Sequence, residues 1–370
     1  MSSQVSAPAD VVVVGAGVNG LMVARELAQA GRQVLLLERG RVGGEASWAG
    51  GGIVSPLYPW RYAEPVTALA STAQRAYPLL SQALVAETGI DPELAPCGLL
   101  MLDADDARDA VQWAQGHGHE IHCLGSAALQ QQLPGLGSGW RQGLWMPAIA
   151  NVRNPRLLKA LLASVRQLGV TVVEQAEVVA WTAEAGRLQR LHLADGRQAG
   201  AEQVVVCGGA WSRVFLEKAG VATPPVLRPV RGQMLLYKRP AGELPCIVLA
   251  QGRYVIPRRD GHILCGSTLE ESGFDKSTTP EALRSLQASA QKLWPALAGE
   301  EPVLQWAGLR PAAPNGIPYI GKVPGYDNLW INAGQFRNGL VLAPASAGLL
   351  ADLMLGREPR VDPRPYRLLP

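Results

Sequence analysis

The sequence predicts an α/β fold in which a Rossmann-like dinucleotide-binding domain, built on a parallel sheet, is joined to a second, α+β domain built on a large antiparallel sheet. Three observations predict it. An apolar strand runs into a glycine-rich turn and an amphipathic helix near the N-terminus, a second long apolar strand ends in glycines near residue 207, and the texture from Arg231 to Ser267 changes to short strands joined by tight turns.

The first observation is Val11-Val12-Val13-Val14 followed at once by Gly15-Ala16-Gly17-Val18-Asn19-Gly20. Leu21, Val23, Ala24, Leu27 and Ala28 then recur at helical spacing, Gly31 closes the helix, and the strand Val34 to Leu37 ends on Glu38. This is a βαβ unit. Gly15 makes the tight turn, Gly17 leaves room for a pyrophosphate, and Gly20 lets helix and strand pack closely. The unpaired N–H groups and positive dipole end of the helix favour an anion without a basic side chain. Glu38 is placed to accept hydrogen bonds from an unmodified ribose and would repel a 2′-phosphate. A glycine-rich turn can also be purely structural, but strand, helix, the small Ala24, Gly31 and the terminal acid all agree here.

A second glycine-rich loop, Arg41 to Gly52, precedes Ile53. A plain nicotinamide domain has no need of it. Gly43, Gly44, Gly51 and Gly52 let the backbone lie against something large and flat, beside Ala46, and Ser47 can bond a phosphate or ribityl oxygen. Helical patterns follow over Pro65 to Thr88 and near Asp105 to Gln115, with a strand at Gly98 to Leu102 between them. Asn154 to Leu168 reads as a helix. Val170 to Val173, Glu177 to Trp181 and Leu188 to Leu193 read as a small sheet closed by the Asp195-Gly196 turn. The apolar run Val204 to Cys207 suits a buried parallel strand returning to the first sheet. In the second domain, Tyr254 to Pro257 and His262 to Cys265 form a hairpin through Arg258-Arg259-Asp260-Gly261. A helix over Pro280 to Leu293, a strand over Leu329 to Asn332 and a helix over Leu340 to Leu355 complete the chain. The expected division gives 1–90, 145–225 and 305–370 to the dinucleotide domain, and 91–144 and 226–304 to a substrate-binding domain.

Composition bounds the function. The chain has 370 residues, enough for two cores. A net charge of +3 is too small to imply nucleic acid, and Arg357, Arg360, Arg364 and Arg367 alternate with Pro and Asp as a solvated tail would. The first ten residues carry no Lys or Arg and no apolar core before Asp10, so no secretory signal is expected. No apolar run of membrane-spanning length is expected either. The five cysteines form an odd set without CxxC, which suits free thiols and a cytoplasmic location. His117, His119 and His122 lie among glycines and read as a solvated turn; no metal site is expected.

On the N-terminal fingerprint with its second glycine loop, Val204 to Ser212, Trp306 to Pro311 and Gly334 to Pro344, the chain resembles the D-amino acid oxidase superfamily of flavoproteins over nearly its whole length. It looks most like the bacterial glycine oxidase branch, of the thiamine pathway. The resemblance implies FAD, with phosphates at Val18 and Asn19, adenosine at Glu38, Arg39 and Val178, and flavin between the Ala46 to Ile53 loop and the Gln335 to Val341 segment. Gly208, Gly209 and Trp211 belong to the same implied set, as do Gly334, Gln335, Phe336, Arg337, Asn338, Gly339, Leu340 and Val341. A helix beginning near Gly339 would set positive potential beside the flavin. Binding is expected to be non-covalent, because Arg310-Pro311-Ala312-Ala313-Pro314 lacks the Cys by which some relatives tether flavin.

The resemblance further implies three site residues: Arg310, in Gly308-Leu309-Arg310, for the substrate carboxylate; Tyr254 assisting; and Arg337 in the Phe336-Arg337-Asn338-Gly339 loop. A guanidinium is apt because its planar fork matches a carboxylate. The implied reaction is oxidation of glycine or another small amino acid. The α C–H delivers hydride to flavin, the imine hydrolyses to a 2-oxo acid and ammonia, and O2 reoxidises the flavin to give H2O2. A homotetramer is implied too. Gly252 and Gln335 stand where glycine oxidases can carry His, and Leu269 where they can carry Met, which bears on substrate range. D-amino acid or sarcosine oxidation, a dehydrogenase using another acceptor, and a non-catalytic flavin-binding subunit stand as alternatives.

Overall fold

The structure, a computed structural model, describes residue 5 and residues 9–102, 104–137 and 139–369. The remaining N-terminal residues, on which the expectation of no leader mostly rests, lie outside them.

Two sheets face each other across a cleft. The first runs in the order Tyr319–Lys322, Leu329–Ala333, Gln198–Val206, Ala9–Val14, Val34–Leu37, Thr171–Val173. All neighbours in it are parallel except the first pair. Side-chain alternation decides its two cores. Val11, Val13 and Leu36 pack under the helices Val18–Gln29, Asn154–Gln167, Glu64–Thr88 and Gly339–Leu355, whereas Val12, Leu35 and Leu37 face the opposite core with Leu191, Val204 and Ile331. A fully buried Leu such as Leu21 contributes about 1.5–3 kcal/mol relative to leaving it exposed.

The small sheet differs from expectation. Thr171–Val173 does not join the Val178–Glu184 and Arg187–Leu193 meander but pairs in parallel with Val34–Leu37. The meander instead hangs from the first half of Gln198–Val206, whose second half is parallel to Ala9–Val14. The apolar end of that one strand is buried in the parallel sheet, and its polar start is free to pair outside it.

The second sheet has the order Leu304–Ala312, Arg228–Lys238, His262–Gly266, Arg253–Pro257, Ile247–Ala250, Leu99–Leu102, Gln142–Met146, His122–Gly125. It is antiparallel except for the parallel contact of Ile247–Ala250 with Leu99–Leu102. Helix Pro280–Leu293, capped by the Thr279 hydroxyl on Ala282 N–H, covers one face through Leu286, Ala290 and Leu293. The other face, with Met234, Tyr254 and Ile256, looks toward the glycine loop. The expected division at 305 falls inside Leu304–Ala312, which pairs along its length with Arg228–Lys238, so the chain leaves this sheet only after Ala312. Likewise 145 falls inside Gln142–Met146.

Helix Phe336–Leu355 corrects the reading of the apolar runs: it is long and apolar enough to cross a membrane by length and composition. It packs against Val18–Gln29 and Glu64–Thr88 as a core helix, which explains why apolar residues surround it on all sides. The Arg-rich tail is not simply solvated either. Tyr366 is buried and its hydroxyl donates to Pro65 O at 2.7 Å. His117 and His119 do not form a free turn, because both rings stack on Trp113.

Candidate active site

The cleft between the sheets has an empty volume of about 1980 Å³ with its open mouth included, and runs from Glu38 and Val178 at one end to Tyr254, Arg310 and Arg337 at the other. At the first end the glycine fingerprint takes its expected shape. Gly15 has φ +102°, and a Cβ on Gly20 would lie 1.8 Å from Gly15 O, so helix and turn approach as closely as backbone permits. Glu38 is buried, and its two carboxylate oxygens accept from Ala16 N–H and Gly40 N–H, each at 2.8 Å. Two of roughly four acceptor positions are thereby used, and the rest can take ribose hydroxyls. Arg39 stacks 3.7 Å above Trp211 and bonds Glu45 at 3.2 Å, closing this end.

Midway, Ala46–Ala49 forms a short helix that docks on the second sheet: Trp306 Nε1 donates to Ala49 O at 3.0 Å. Ser47, expected at a phosphate or ribityl oxygen, accepts from Val18 N–H at 2.9 Å and keeps its own hydroxyl hydrogen to donate. Four buried side-chain atoms along the cleft have no partner among the described residues: Asn19 Oδ1, Asn154 Oδ1, Asn332 Nδ2 and Gln335 Oε1. Each such atom costs about 1–3 kcal/mol unless a ligand satisfies it. The first turn of helix Gly339–Leu355 adds N–H groups with no intrahelical partner. A long, hydrogen-bonding group whose only charge is a phosphate group at the helix N-terminus fits this surface, and FAD has that chemistry. Gly15, Gly17, Val18, Asn19, Glu38, Ser47, Gly51, Gly52, Asn332, Gln335 and Val341 would hold it.

At the far end, Arg310 is half-buried. Its Nη2 donates to Ser267 Oγ at 2.7 Å and its Nη1 to Thr268 O at 3.2 Å. Among the described residues no carboxylate lies within 4.0 Å of it, and its partners are neutral oxygens rather than those of an ordinary surface ion pair. Burial pulls the guanidinium below its ordinary value; Tyr254 opposes that shift and the like charge of Arg337 adds to it. Tyr254 lies at 3.5 Å from Met234 Sδ through its hydroxyl. Arg337 lines the same end.

The cleft gathers most of the residues singled out from the sequence. Gly20, Gly43, Gly44, Gly334 and Asn338 stand behind its wall: Gly43, for example, donates its N–H to Ala16 O and packs on Leu158. Leu269 is 57% exposed and Gly252 sits in a turn, its N–H donating to Tyr58 Oη at 3.1 Å, so neither lines the cleft, whereas Gln335 does. Sequence reasoning missed Ser267, Asn332, Asn154 and Leu57 at the wall. It also missed Arg258, read only as a turn residue. That guanidinium is buried and donates to Gly51 O (2.8 Å), Asn151 Oδ1 (2.5 Å) and Val152 O (3.0 Å), pinning the glycine loop to the hairpin. Burial lowers its pKa to about 10, with Arg153 adding to the effect.

The comparisons with known proteins agree with this geometry. Residues 10–353 match the model of the FAD dependent oxidoreductase (DAO) family. The chain is 56% identical over 357 residues to a glycine oxidase of Pseudomonas aeruginosa, covering 96% of this chain and 97% of that one. It is 31% identical to the bifunctional protein ThiO/ThiG of Trichormus variabilis, covering 96% of this chain and 53% of that protein. The crystal structure of glycine oxidase from Geobacillus kaustophilus superposes with a TM-score of 0.91 at 28% identity, over 98% of this chain and 99% of that one. With the fingerprint, the second glycine loop and the orphaned polar atoms of the cleft all matching that cofactor, the chain belongs to the D-amino acid oxidase (DAO) family of FAD-dependent oxidoreductases.

Proposed function

We propose that this enzyme oxidises glycine and other small amino acids, including small D-amino acids, to a 2-oxo acid and ammonia, with O2 reduced to H2O2; sarcosine, the alternative substrate, would release methylamine in place of ammonia. For glycine the sum is glycine, O2 and water giving glyoxylate, ammonia and H2O2. The observation that carries the reading is Arg310: a half-buried guanidinium with no acidic partner among the described residues, aimed into the cleft beside Tyr254 and Arg337. A buried cation left without a counter-charge costs several kcal/mol, and a substrate carboxylate would supply that charge. When bound, FAD supplies the two-electron acceptor that amino acid side chains lack. The chain's share is to clamp the carboxylate at Arg310, to pack the α-carbon between Tyr254 and the Gln335 to Val341 segment, and to exclude water.

Among the described residues, the substrate end of the cleft is lined by no His, Asp or Glu that could act as a base. The substrate amine is therefore expected to enter unprotonated. The two sheets divide the labour, the parallel one holding FAD and the antiparallel one the substrate. A cytoplasmic homotetramer serving the thiamine pathway belongs to the same reading: the location and assembly rest on the resemblance alone, and the pathway also on the ThiO/ThiG relative. Anaerobic addition of glycine, sarcosine, D-alanine or D-proline to the yellow protein tests it. Glycine is expected to bleach the visible absorbance, and air to restore it with one H2O2 per turnover. No bleaching by any of the four would sink the reading in favour of a non-catalytic flavin subunit, and bleaching without recovery in air would point to another electron acceptor.

A further inference from the structure

We propose that Gly232 and Ser267 are positioning residues that fix the plane of the Arg310 guanidinium, and so select substrates that present a small α-amino carboxylate. The inference rests on the reading of Arg310 as the carboxylate anchor. Strands Arg228–Lys238 and Leu304–Ala312 pair with Gly232 opposite Gly308 and Val230 opposite Arg310. Alternation puts Gly232, Gly308 and Arg310 on one face of the sheet. Two glycines facing each other leave a bare strip there. The Arg310 side chain lies across it: a Cβ at 232 would sit 2.1 Å from Nη1, 2.1 Å from Nη2 and 2.3 Å from Cζ. On the other half of the strip, a Cβ at 308 would meet Ala49 Cβ at 2.5 Å, so that glycine serves the docking of the Ala46–Ala49 helix instead.

Backbone conformation does not demand glycine at 232, since its φ is outside the left-handed region. Space demands it. With Gly232 as floor, Ser267 Oγ and Thr268 O take one N–H from each terminal nitrogen and hold the fork in plane. Three of the five guanidinium N–H groups remain for a ligand. Ser267 is buried to 7% exposure and lines the cleft, and its own hydroxyl hydrogen has no acceptor among the described residues. A carboxylate seated on Arg310 would meet this hydroxyl as a further donor. Bidentate recognition depends on the direction of the fork, so a guanidinium that is present but tilted loses most of its value.

The test uses FAD-loaded Gly232→Ala, Ser267→Ala, Ser267→Thr, Arg310→Ala and the Gly232→Ala/Arg310→Ala double variant, with KM and kcat for glycine and the Ki of acetate as a carboxylate probe. Gly232→Ala should lower kcat/KM by about 30-fold or more, approaching Arg310→Ala, and raise the acetate Ki with it. In the Arg310→Ala background the same substitution should add almost nothing, because the group it displaces is gone. Ser267→Ala should cost about tenfold, the value of one charged hydrogen bond, and Ser267→Thr should recover most of it. A Gly232→Ala loss that multiplies with that of Arg310→Ala, or an unchanged acetate Ki, overturns the proposal. Should Gly232→Ala fail to fold, equal acetate Ki in Ser267→Ala and wild type overturns it instead. If Arg310→Ala itself keeps normal glycine turnover, the anchor reading falls and this inference with it.

Discussion

The two ends of the cleft are built by opposite strategies. The dinucleotide end is built mostly from one contiguous stretch, Gly15 to Arg39, with Val178 and Trp211 added from elsewhere, and offers backbone N–H groups and a single acid whose own partners, Ala16 and Gly40, lie in or beside that stretch. The proposed substrate end is assembled from Tyr254 and Arg310 on two strands of the second sheet, Ser267 just past a third, and Arg337 in the Phe336–Asn338 turn that follows a strand of the first sheet. The difference teaches where tolerance lies. A backbone-made site fails through steric overlap, and a side-chain-made site fails through loss or misdirection of one charged group.

The sharpest way to break this contrast is Arg310→Ala. Removing one partner of a buried charge pair costs about 2–5 kcal/mol, so kcat/KM for glycine should fall roughly 30-fold to several thousand-fold. FAD occupancy should stay at the wild-type level, as measured by the ratio of visible to ultraviolet absorbance. Arg310→Lys should recover only part of the loss, since a point charge replaces a two-pronged contact. Loss of FAD from either variant would show that the ends are not independent.

Gly20→Ala tests the other end, with a smaller expected effect. The new Cβ would fall 1.8 Å from Gly15 O, and the shift needed to relieve it costs about 1–3 kcal/mol. That corresponds to about 5- to 150-fold in FAD affinity, measurable by titrating apoprotein. At saturating FAD the KM for glycine should be unchanged. A changed KM with normal FAD affinity would invert the assignment of the two ends.

The smallest effect probes how the substrate end is covered. Leu57 lines the cleft, and the Pro59–Arg61 turn that follows it is tied to Asp106, which accepts from Trp60 Nε1 at 2.7 Å and from Arg61 Nε at 2.6 Å. The Arg61 hydrogen bond outweighs burial and holds the Asp106 carboxyl at about 2. Its folded value is depressed, so its stabilisation is complete above the unfolded value of about 3.9 and is lost as pH falls from there toward about 2. Because Arg61 is 48% exposed, solvent screening limits the pair to about 1 kcal/mol or less. Asp106→Asn should lower Tm by about 1–2 °C at pH 7, and the difference from wild type should shrink steadily as pH falls from about 4 through about 2. A constant difference across that range would mean that packing, not charge, holds the turn.

The sequence by itself determined the βαβ unit, the second glycine loop, the hairpin through Gly261 and the helix Pro280–Leu293, because each is written in hydrophobic period, capping and turn residues that act within a few positions. It also carried Arg310, Tyr254 and Arg337, but only through resemblance, since a lone arginine before a proline has no local signature. Tertiary structure decided the rest. Thr171–Val173 could pair with either of two partners of equal local pattern, and the free edge beside Val34–Leu37 chose. Gly232 reads as an ordinary strand glycine until the guanidinium is seen lying where its Cβ would be. Arg258 reads as a turn residue until its three oxygen partners, more than a hundred positions away, come within reach. Strand pairing and contacts across a sheet depend on which segments meet in space, and no local rule of spacing encodes that meeting.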